Sequence, residues 1–342
     1  MKRPALIATQ GRNGRPDIEQ MRLMTRAARL HYIDGKRQSE IAEKMGISQA
    51  SVSRFLSLAE EHGIVRTIVV PPEGLYPDLE DGLARAYGLD AVYVVDISSH
   101  EDGIAHVLGA AAARCLMGEL KGGPVVGFTS WSTTLREMAR NIEPRGNTGV
   151  RQVVETLGDL GSPMLQHEAA LATFQMSKAL DAEAVFLRTP GVMPDAGLLN
   201  AAVADVHVRA ALRLLDKVDI VFAGIGPADF HGPLQEGDNF FTADQLAEVR
   251  AAGAVGQLHQ RFINARGEAV KTPLDDLVVG MTLAQLRNAR RKIAVAGGAA
   301  KHKALAAALA GKWIDVLVTD VNSANYLMTA AGRAAQLPKG QA

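Results

Sequence analysis

The sequence has few of the residues from which disulfides, metal sites and membrane spans are built. Cys115 is the single cysteine among 342 residues, which excludes an internal disulfide and a thiolate metal cluster. The nine histidines include no close ligand pair of the HExxH kind, so we expect no metal ion. No uninterrupted apolar run reaches the roughly 18–20 residues that a membrane helix needs. We therefore expect a protein of the reducing cytoplasm that does not enter a membrane.

Secretion signals and nucleotide-binding motifs are missing as well. Residues 1–20 are positively charged but have no apolar core, so we expect a flexible basic arm there and no secretory signal. The close-approach turn at Gly224–Gly226 is GIG rather than GxGxxG, and no acidic residue that could hold a ribose is evident. We therefore expect no nucleotide cofactor, and no other cofactor.

The net charge is zero, but the charge is unevenly distributed along the chain. Residues 1–66 contain 12 Lys and Arg against 7 Asp and Glu, a net charge of +5. Residues 67–342 contain 25 against 30, a net charge of −5. Binding to a phosphate backbone needs a local excess of positive charge and not a basic total. The basic N-terminal segment therefore suits nucleic acid.

The segment from Gln38 to Glu61 has the pattern of two helices joined by a tight turn. Gly46 stands where the first helix has to end, because glycine adopts left-handed backbone angles without a steric penalty. Ser48 can cap the second helix, whose apolar side chains recur at i, i+3, i+4 and i+7 from Val52. The opposite face has short hydrogen-bonding side chains and a guanidinium, as a recognition helix in the DNA major groove needs. The residues that we expect to contact DNA are Arg37, Gln38, Ser48, Gln49, Ala50, Ser51, Ser53 and Arg54.

The flanking sequence predicts a separate DNA-binding domain over residues 21–70, with a winged-helix-like organisation. A helix over Met21–Asp34 would complete a trihelical core, and Ile64–Val70 has the composition of a short β segment. Residues 71–77, PPEGLYP, form a stiff linker because their three prolines and one glycine oppose a helix. An amphipathic helical hairpin inside an ordinary domain is the alternative interpretation, but the turn chemistry and the basic charge favour DNA binding.

Residues 78–342 alternate between short apolar strands and helices. This pattern is typical of a parallel sheet covered on both faces, a Rossmann-like doubly wound α/β fold. Such sheets bind ligands at the carboxyl ends of their strands. The predicted strands are Ala91–Val95, Pro124–Phe128, Val150–Leu157, Ala182–Leu187, Asp219–Gly226, Arg291–Gly297 and Asp315–Asp320. The predicted helices are Gly103–Leu120, Thr133–Ile142, Gln166–Leu180, Ala201–Lys217, Thr242–Ala251 and Lys301–Ala310.

Two strand-to-helix junctions of this domain have the composition of anion sites. In the first, a strand runs into the hydroxyl-rich residues 130–134 before a helix, and a helix N-terminus with free N–H groups attracts anions. An ordinary Ser/Thr cap is the alternative there. In the second, Gly297 and Gly298 permit a close approach to a ligand, and Lys301 begins a helix at its positive end. A bound anion would offset that unfavourable position, whereas a solvated lysine is the alternative.

Together these residues resemble the SorC/DeoR type of sugar-binding bacterial transcriptional regulators. The similarity extends from about Met21 to the end, and its most specific pieces are the helix-turn-helix, WSTTL, the GGxxK of Gly297–Lys301, and LVTDVNSANYLM. The resemblance implies a body related to sugar-phosphate isomerases and deaminases. It also implies a homo-oligomer, usually a tetramer, whose affinity for double-stranded operator DNA is set by a small phosphorylated sugar or polyol.

In this family the hydroxyl loop and the later lysine hold the phosphate of the effector, the small molecule that controls DNA binding. The resemblance transfers that role to Ser132, Thr133, Thr134 and Lys301. The resemblance thus implies that residues 78–342 form an effector-binding and oligomerisation domain. The effector-contacting residues that we expect are Ser130, Trp131, Ser132, Thr133, Thr134, Gly158, Gly224, Gln257, His259, Gly297, Gly298 and Lys301.

The sequence departs from the family pattern at three places in this site. Ser132 replaces the usual glycine after the tryptophan in a loop that is one residue longer, and Gln257 replaces the aspartate of the usual GDI segment. Leu157 lies where some members have a basic residue. The site is therefore expected to suit a ligand with less negative charge, even an unphosphorylated sugar or polyol. His259 and Glu155 are candidates for compensating contacts.

The leading hypothesis is a transcriptional regulator of a carbohydrate catabolic operon, with no catalytic residues. One alternative is a sugar-phosphate isomerase or deaminase with an accessory DNA-binding domain. Its candidate acid and base groups are Asp229, His231 and Asp320, but the sequence assembles no convincing pair among them. Another alternative is a protein-interaction module that uses the helical hairpin as an adaptor, which the basic charge and Arg54 disfavour.

Overall fold

The computed structural model describes residues 16–66, 71–97, 103–144, 146, 148–229, 234 and 237–336. The chain divides into two compact units, Met1–Val70 and Pro71–Ala342, which we call the N-terminal unit and the C-terminal unit. Within the described residues, no helix is both long and apolar enough to cross a lipid bilayer.

Residues 16–66 of the N-terminal unit form three helices, and a π-helical turn, Arg29–Ile33, continues the first of them. The helix α1 begins inside the segment expected to be a flexible arm, because the Asp17 carboxylate caps it by accepting the N–H of Gln20 at 2.8 Å. Buried apolar side chains from all three helices, such as Met24, Ile41 and Leu56, form one core. The helices are α1 (Ile18–Ala28), α2 (Gln38–Met45) and α3 (Gln49–Glu61).

The turn between α2 and α3 confirms the predicted helix-turn-helix. Gly46 ends α2 with φ of 68°, in the left-handed region that glycine favours. The Ser48 hydroxyl caps α3 by accepting the N–H of Ser51 at 3.1 Å. The β segment predicted over residues 64–70 is not present at Ile64 and Val65, which instead pack against the helical core. Its last four residues, 67–70, lie outside the described part of the chain.

The C-terminal unit is built on a seven-stranded parallel sheet, as the alternating pattern predicted. The strand order is β1-β10-β9-β5-β2-β3-β4, and every neighbouring pair runs parallel. Successive side chains of each strand enter different cores on the two faces, as Val125 and Val126 of β2 do. The strands are β1 (Ala91–Val95), β2 (Val125–Phe128), β3 (Gln152–Glu155), β4 (Glu183–Val185), β5 (Ile220–Ala223), β9 (Arg291–Val295) and β10 (Val316–Asp320).

Helices cover this sheet, and their boundaries follow local capping chemistry. The helix predicted over residues 201–217 is instead two helices, because the Asp205 carboxylate accepts the N–H groups of His207 and Val208 and starts a new one. The helices are α4 (Pro77–Tyr87), α5 (Gly103–Glu119), α6 (Thr133–Arg140), α7 (Pro163–Leu180), α8 (Ala196–Ala204), α9 (Val206–Leu214), α10 (Ala243–Ala251), α11 (Leu283–Asn288), α12 (His302–Ala310) and α13 (Val321–Gln336).

A small antiparallel sheet, absent from the sequence-based prediction, stands beside the main one. Its strands are β6 (Ile225–Pro227), β7 (Ala254–Leu258) and β8 (Arg261–Asn264). The run predicted as one strand, Asp219–Gly226, breaks at Gly224, so that β5 stays in the parallel sheet while β6 pairs with β7. This sheet brings the β7–β8 turn close to the carboxyl end of β5.

Candidate functional site

A cavity of about 310 Å³ opens where strands β2, β5 and β9 end. Its wall includes residues that follow each of these strands: Thr129 after β2, Gly224 after β5 and Lys301 beyond β9. The carboxyl ends of parallel strands are where open α/β sheets bind ligands. Predicted residues in this wall are Trp131, Ser132, Thr133, Thr134, Gly224, Gln257, His259 and Lys301. Residues that the sequence did not single out as contacts are Thr129, Arg136, Leu157, Leu165, Ile225, Gly226, Pro227, Leu234 and Gln260.

One end of the cavity is the start of α6. Ser132 is both a wall residue and the cap of this helix, because its hydroxyl accepts the N–H of Leu135 at 3.4 Å. Thr133 and Thr134 form the first turn, where backbone N–H groups have no acceptor within the helix. These N–H groups, the helix dipole and the threonine hydroxyls together favour an anion at this end.

Lys301 brings a positive charge to the cavity from a different loop. It closes a 3₁₀ turn, Ala299–Lys301, and α12 begins one residue later than predicted, at His302. The ammonium makes no ion pair among the residues that the structure describes, and burial lowers its pKa. The side chain of Lys301 is half-buried, and a partly desolvated cation without a counterion is unfavourable, so a bound anion would stabilise it.

Asp320 holds the loop that carries Lys301. Its carboxylate accepts the N–H of Gly298 at 2.8 Å and the hydroxyl hydrogen of Ser323 at 2.6 Å. A Cβ at Gly297 would lie 2.3 Å from Asp320 Oδ2, so only glycine permits this approach. Burial works to raise the pKa of Asp320, but hydrogen bonds from Ser323, Gly298 and Asn322 outweigh it and hold the pKa below its usual value. The glycine pair therefore shapes the loop and does not line the cavity.

Arg136 is a second cation in the wall. Its side chain is buried, and its guanidinium donates to the Trp131 carbonyl at 3.2 Å and pairs with Glu168 at 3.4 Å. Burial lowers the pKa of Arg136, and the charge of Glu168 partly offsets this effect. Leu157 brings no charge to the cavity, but Arg136 on α6 brings a positive one. Its position three residues after Thr133, one helical turn along, was the available sequence signal.

The β7–β8 turn forms the facing wall. Gln257 Oε1 accepts the N–H of Gln260 at 3.0 Å, so that its NH₂ group remains a donor for the cavity. The His259 ring is buried, with Nδ1 3.3 Å from the Thr129 hydroxyl oxygen. His259 Nε2 is also buried and has no hydrogen-bond partner among the described residues. Burial, with a smaller contribution from the charge of Arg261, lowers the pKa of His259 to about 4, so the ring is neutral at pH 7.

Several residues that were predicted to contact the ligand lie outside the cavity wall. Ser130 is buried outside the wall, and the N–H of Gly158 donates to the Val279 carbonyl at 3.0 Å. The Glu155 carboxylate is also away from the cavity, where it accepts hydrogen bonds from Thr173 and Leu187. The structure therefore places Ser130, Gly158, Gly297, Gly298 and Glu155 outside the wall of this cavity, which corrects the expectation that they line it.

Among the described residues, the candidate acid and base groups of the enzyme hypothesis do not come together in the cavity. Asp229 is exposed and outside the wall, Asp320 is occupied by the Lys301 loop, and His231 lies outside the described residues. Over the described part of the wall, no residue carries a carboxylate. The described residues also contain no group of His, Cys, Asp and Glu side chains placed to hold a metal ion.

The predicted DNA-contacting residues share one surface of the N-terminal unit. They lie at the N-termini of α2 and α3 and along the polar face of α3, and all are exposed except Gln38 and Ser51, which are half-buried. The backbone N–H of Arg37 donates to Glu40 at 2.8 Å, which fixes the start of α2. The Arg54 guanidinium makes no hydrogen bond or ion pair within the described residues, so it is free to contact a partner.

Comparisons with known proteins place both units. A family model described as "Putative sugar-binding domain" matches residues 72–329, and one described as "Helix-turn-helix domain" matches residues 26–77. The deoxyribonucleoside regulator of Bacillus subtilis (strain 168) is 30% identical over 314 residues, 91% of this chain and 99% of that protein. The sorbitol operon regulator of Klebsiella pneumoniae is 27% identical over 321 residues, 91% of this chain and 98% of that protein.

A solved structure shows the same fold over nearly the whole chain. The full-length sorbitol operon regulator SorC from Klebsiella pneumoniae aligns with a TM-score of 0.68 at 24% identity, covering 91% of this chain and 99% of that one. The chain therefore belongs to the sugar-binding-domain family and is a SorC/DeoR-type transcriptional regulator with an N-terminal helix-turn-helix domain.

Proposed function

We propose that this regulator controls a carbohydrate catabolic operon and that a phosphorylated sugar or polyol in the C-terminal cavity sets its affinity for operator DNA. One observation carries the proposal: Lys301, Arg136 and the first turn of α6 meet in a cavity whose described wall has no carboxylate. Because its operator would be chromosomal DNA, the regulator would act in the bacterial cytoplasm.

The arrangement of donors suits a phosphoryl group. Lys301 supplies a point charge, and Arg136 supplies a planar guanidinium that can form directed hydrogen bonds. Thr133 and Thr134 add hydroxyls at a helix N-terminus, where an anion is already favoured. The expectation of a less negatively charged ligand rested on Ser132, Gln257 and Leu157, and of these Leu157 stands where some family members have a basic residue. The charge of Arg136 removes that reason and favours a phosphorylated ligand.

The rest of the cavity suits a small carbon skeleton. Trp131, Leu157 and Leu165 contribute apolar surface, while Gln257 and His259 contribute neutral polar groups. The volume of about 310 Å³ lies at the lower end of small-molecule sites. A monosaccharide or polyol phosphate combines these features, since it has one anionic end and a hydroxylated chain.

The regulator is proposed to act as a homo-oligomer, and as a tetramer in its complete form. Helix-turn-helix proteins occupy paired half-sites, which requires at least two copies of the DNA-binding surface. The C-terminal unit exposes Met164, Leu171 and Phe174 on one face of α7, an apolar face of the kind that protein partners cover. The eight predicted DNA-contacting residues, which include Arg54, are proposed to contact the operator.

The proposal is tested on the full chain by thermal shift and by DNA binding. The ligands are inorganic phosphate, D-glucitol, D-glucitol 6-phosphate and 2-deoxy-D-ribose 5-phosphate, and the DNA is a fragment that the protein itself selects from a genomic library. We expect at least one organic phosphate to raise the melting temperature and to change the DNA affinity. No response to any phosphate would contradict the proposal.

Two substitutions separate the roles of the units. Lys301→Ala should abolish the response to the phosphates but leave DNA binding intact, whereas Lys303→Ala, at an exposed lysine two residues later in α12, should change neither. Arg54→Ala should weaken DNA binding by about 1–3 kcal/mol with no effect on the thermal shift. Unchanged DNA affinity in the Arg54 variant would contradict the assignment of α3 as the recognition helix.

A further inference from the structure

The turn between β7 and β8 has an unusual backbone for its residues. Leu258 pairs with Arg261, so that His259 and Gln260 form a two-residue hairpin loop. Both residues adopt positive φ angles, 50° for His259 and 59° for Gln260. Hairpin turns of this kind favour Asn-Gly, because residues with a larger side chain are disfavoured in the left-handed region. Histidine and glutamine take the two places where such turns most often have asparagine and glycine, so the choice of a histidine here calls for a separate explanation.

The side chain of His259 points to a ligand. The ring lies in the cavity wall, is almost completely buried, and meets the Thr129 hydroxyl through Nδ1. Its other nitrogen, Nε2, is buried without a partner among the described residues. Buried polar atoms in proteins are nearly always hydrogen-bonded, so an unpartnered nitrogen in a ligand cavity indicates a bond that the ligand completes.

The charges along the cavity decide which part of the ligand this is. The cations Lys301 and Arg136 and the start of α6 mark the anionic end of the ligand. His259 is neutral at pH 7, since its pKa is lowered to about 4, and therefore offers no charge to a second anion. A neutral imidazole nitrogen and a hydroxyl are matched hydrogen-bonding partners, because the hydroxyl can donate or accept.

We infer that His259 determines ligand specificity by hydrogen-bonding, through Nε2, a hydroxyl group of the carbon skeleton of the effector. The inference rests on the proposed function, because it assumes that the phosphoryl group occupies the Lys301 end of the cavity. Gln257 acts beside it: its Oε1 holds the N–H of Gln260, which fixes the turn, and its NH₂ group is left to donate to a ligand oxygen. The strained turn is retained because it presents the imidazole to the ligand.

The test compares two probes in the full-length protein by isothermal titration calorimetry at pH 7.5. Inorganic phosphate reports on the anionic end alone, and D-glucitol 6-phosphate adds the hydroxylated chain. The variant is His259→Asn, because asparagine tolerates positive φ and the turn should fold. We expect its affinity for inorganic phosphate to stay within 2-fold of the wild type and its affinity for D-glucitol 6-phosphate to fall about 5- to 10-fold. His259→Gln, which keeps a longer polar side chain, should recover part of the loss.

Each other outcome overturns one specific claim. An equal loss for both probes would mean that His259 shapes the anionic end, and no loss for D-glucitol 6-phosphate would mean that Nε2 makes no ligand contact. A wild-type protein that binds D-glucitol 6-phosphate no more tightly than inorganic phosphate would also overturn the inference. If the wild type binds neither probe, the proposed phosphate site itself is wrong, which is distinguishable from an unchanged His259 variant.

Discussion

At the scale of single residues, the two cations of the cavity differ in what surrounds them. Lys301 has no counterion within the described residues, whereas Arg136 pairs with Glu168, whose side chain is 42% exposed. A phosphate bound as proposed would therefore meet one cation without a counterion and one that is already partly neutralised. The weak, half-exposed pair with Glu168 leaves the guanidinium available for a ligand.

We predict that Arg136→Met weakens binding of phosphorylated ligands about 10- to 100-fold, since hydrogen bonds to charged groups contribute about 1.5–3 kcal/mol. Glu168→Gln is the matched control, because it breaks the same ion pair but keeps the guanidinium, and it should leave binding unchanged or slightly stronger. Titration calorimetry with D-glucitol 6-phosphate measures both. Equal losses in the two variants would show that Arg136 acts only through its pair with Glu168.

The sequence predicted a site at the hydroxyl loop and Lys301, which the structure brings into one cavity wall, because a helix N-terminus and a cation at the start of a predicted helix have a clear electrostatic meaning. It did not identify Arg136, since an arginine on a short helix usually points to water. It also misplaced Gly297 and Gly298. A glycine pair indicates that something approaches the backbone closely, but only the folded chain shows that Asp320, and not the ligand, does so.

At the scale of elements, a buried carboxyl group joins three parts of the C-terminal unit. Glu155 ends β3, and its carboxylate accepts the Thr173 hydroxyl of α7 at 2.8 Å and the N–H of Leu187, after β4, at 2.9 Å. Burial raises the pKa of Glu155 from 4.5 to about 7, although both hydrogen bonds act to lower it. The protonated form is therefore favoured in the folded protein over a wider pH range than in the unfolded chain.

This shift predicts a pH dependence of stability. Between about pH 4.5 and pH 7 the folded state binds the Glu155 proton and the unfolded state has released it, so the free energy of unfolding falls as the pH rises. Glu155→Gln removes this effect. The free energy of unfolding of the variant minus that of the wild type should therefore be higher at pH 8 than at pH 5, by at most ~3 kcal/mol.

Urea denaturation of both proteins at the two pH values measures this difference. Glu183→Gln serves as the control, because Glu183 lies on the neighbouring strand β4 with its side chain exposed. Its stability relative to the wild type should be the same at pH 5 and pH 8. A constant difference for Glu155→Gln as well would show that the burial of Glu155 has no effect on its proton binding.

Periodicity alone predicted the seven strands of the parallel sheet, because continuous apolar runs are needed where both faces are covered. The sequence did not predict the small sheet β6–β8, because its strands lack continuous apolar runs. Its strands are short and contain Gly226, Pro227 and Gly256, residues that are typical of turns. Gln257 and His259 were expected in the site from the family resemblance, but the hairpin that carries them became visible only in the structure.

At the scale of the whole molecule, the positive charge is concentrated in the N-terminal residues, and the rest of the chain is acidic. The basic N-terminal residues suit a phosphate backbone, and the acidic remainder does not compete for DNA. In the oligomer proposed above, the covalent connection between the two units would let a ligand in the C-terminal unit alter DNA binding. A preference of a few kcal/mol for one arrangement of the subunits is sufficient to change operator affinity strongly.

We predict that cutting the connector between the units abolishes both tight DNA binding and its control by ligand. A protease site inserted between Pro71 and Pro72 leaves each compact unit intact. Joined subunits bind two half-sites with a gain in avidity, so the uncut oligomer should bind a two-half-site fragment at least about 100-fold more tightly than a single half-site. After cleavage, both fragments should bind with the same weak affinity.

Fluorescence anisotropy of labelled DNA, before and after cleavage, measures this loss. The same cleaved sample should keep its thermal-shift response to phosphorylated ligands, because the cavity lies wholly within the C-terminal unit. A cleaved protein that still distinguishes two half-sites from one would mean that the N-terminal units associate by themselves. Control by the ligand would then have to act on that association, since the connector would no longer transmit it.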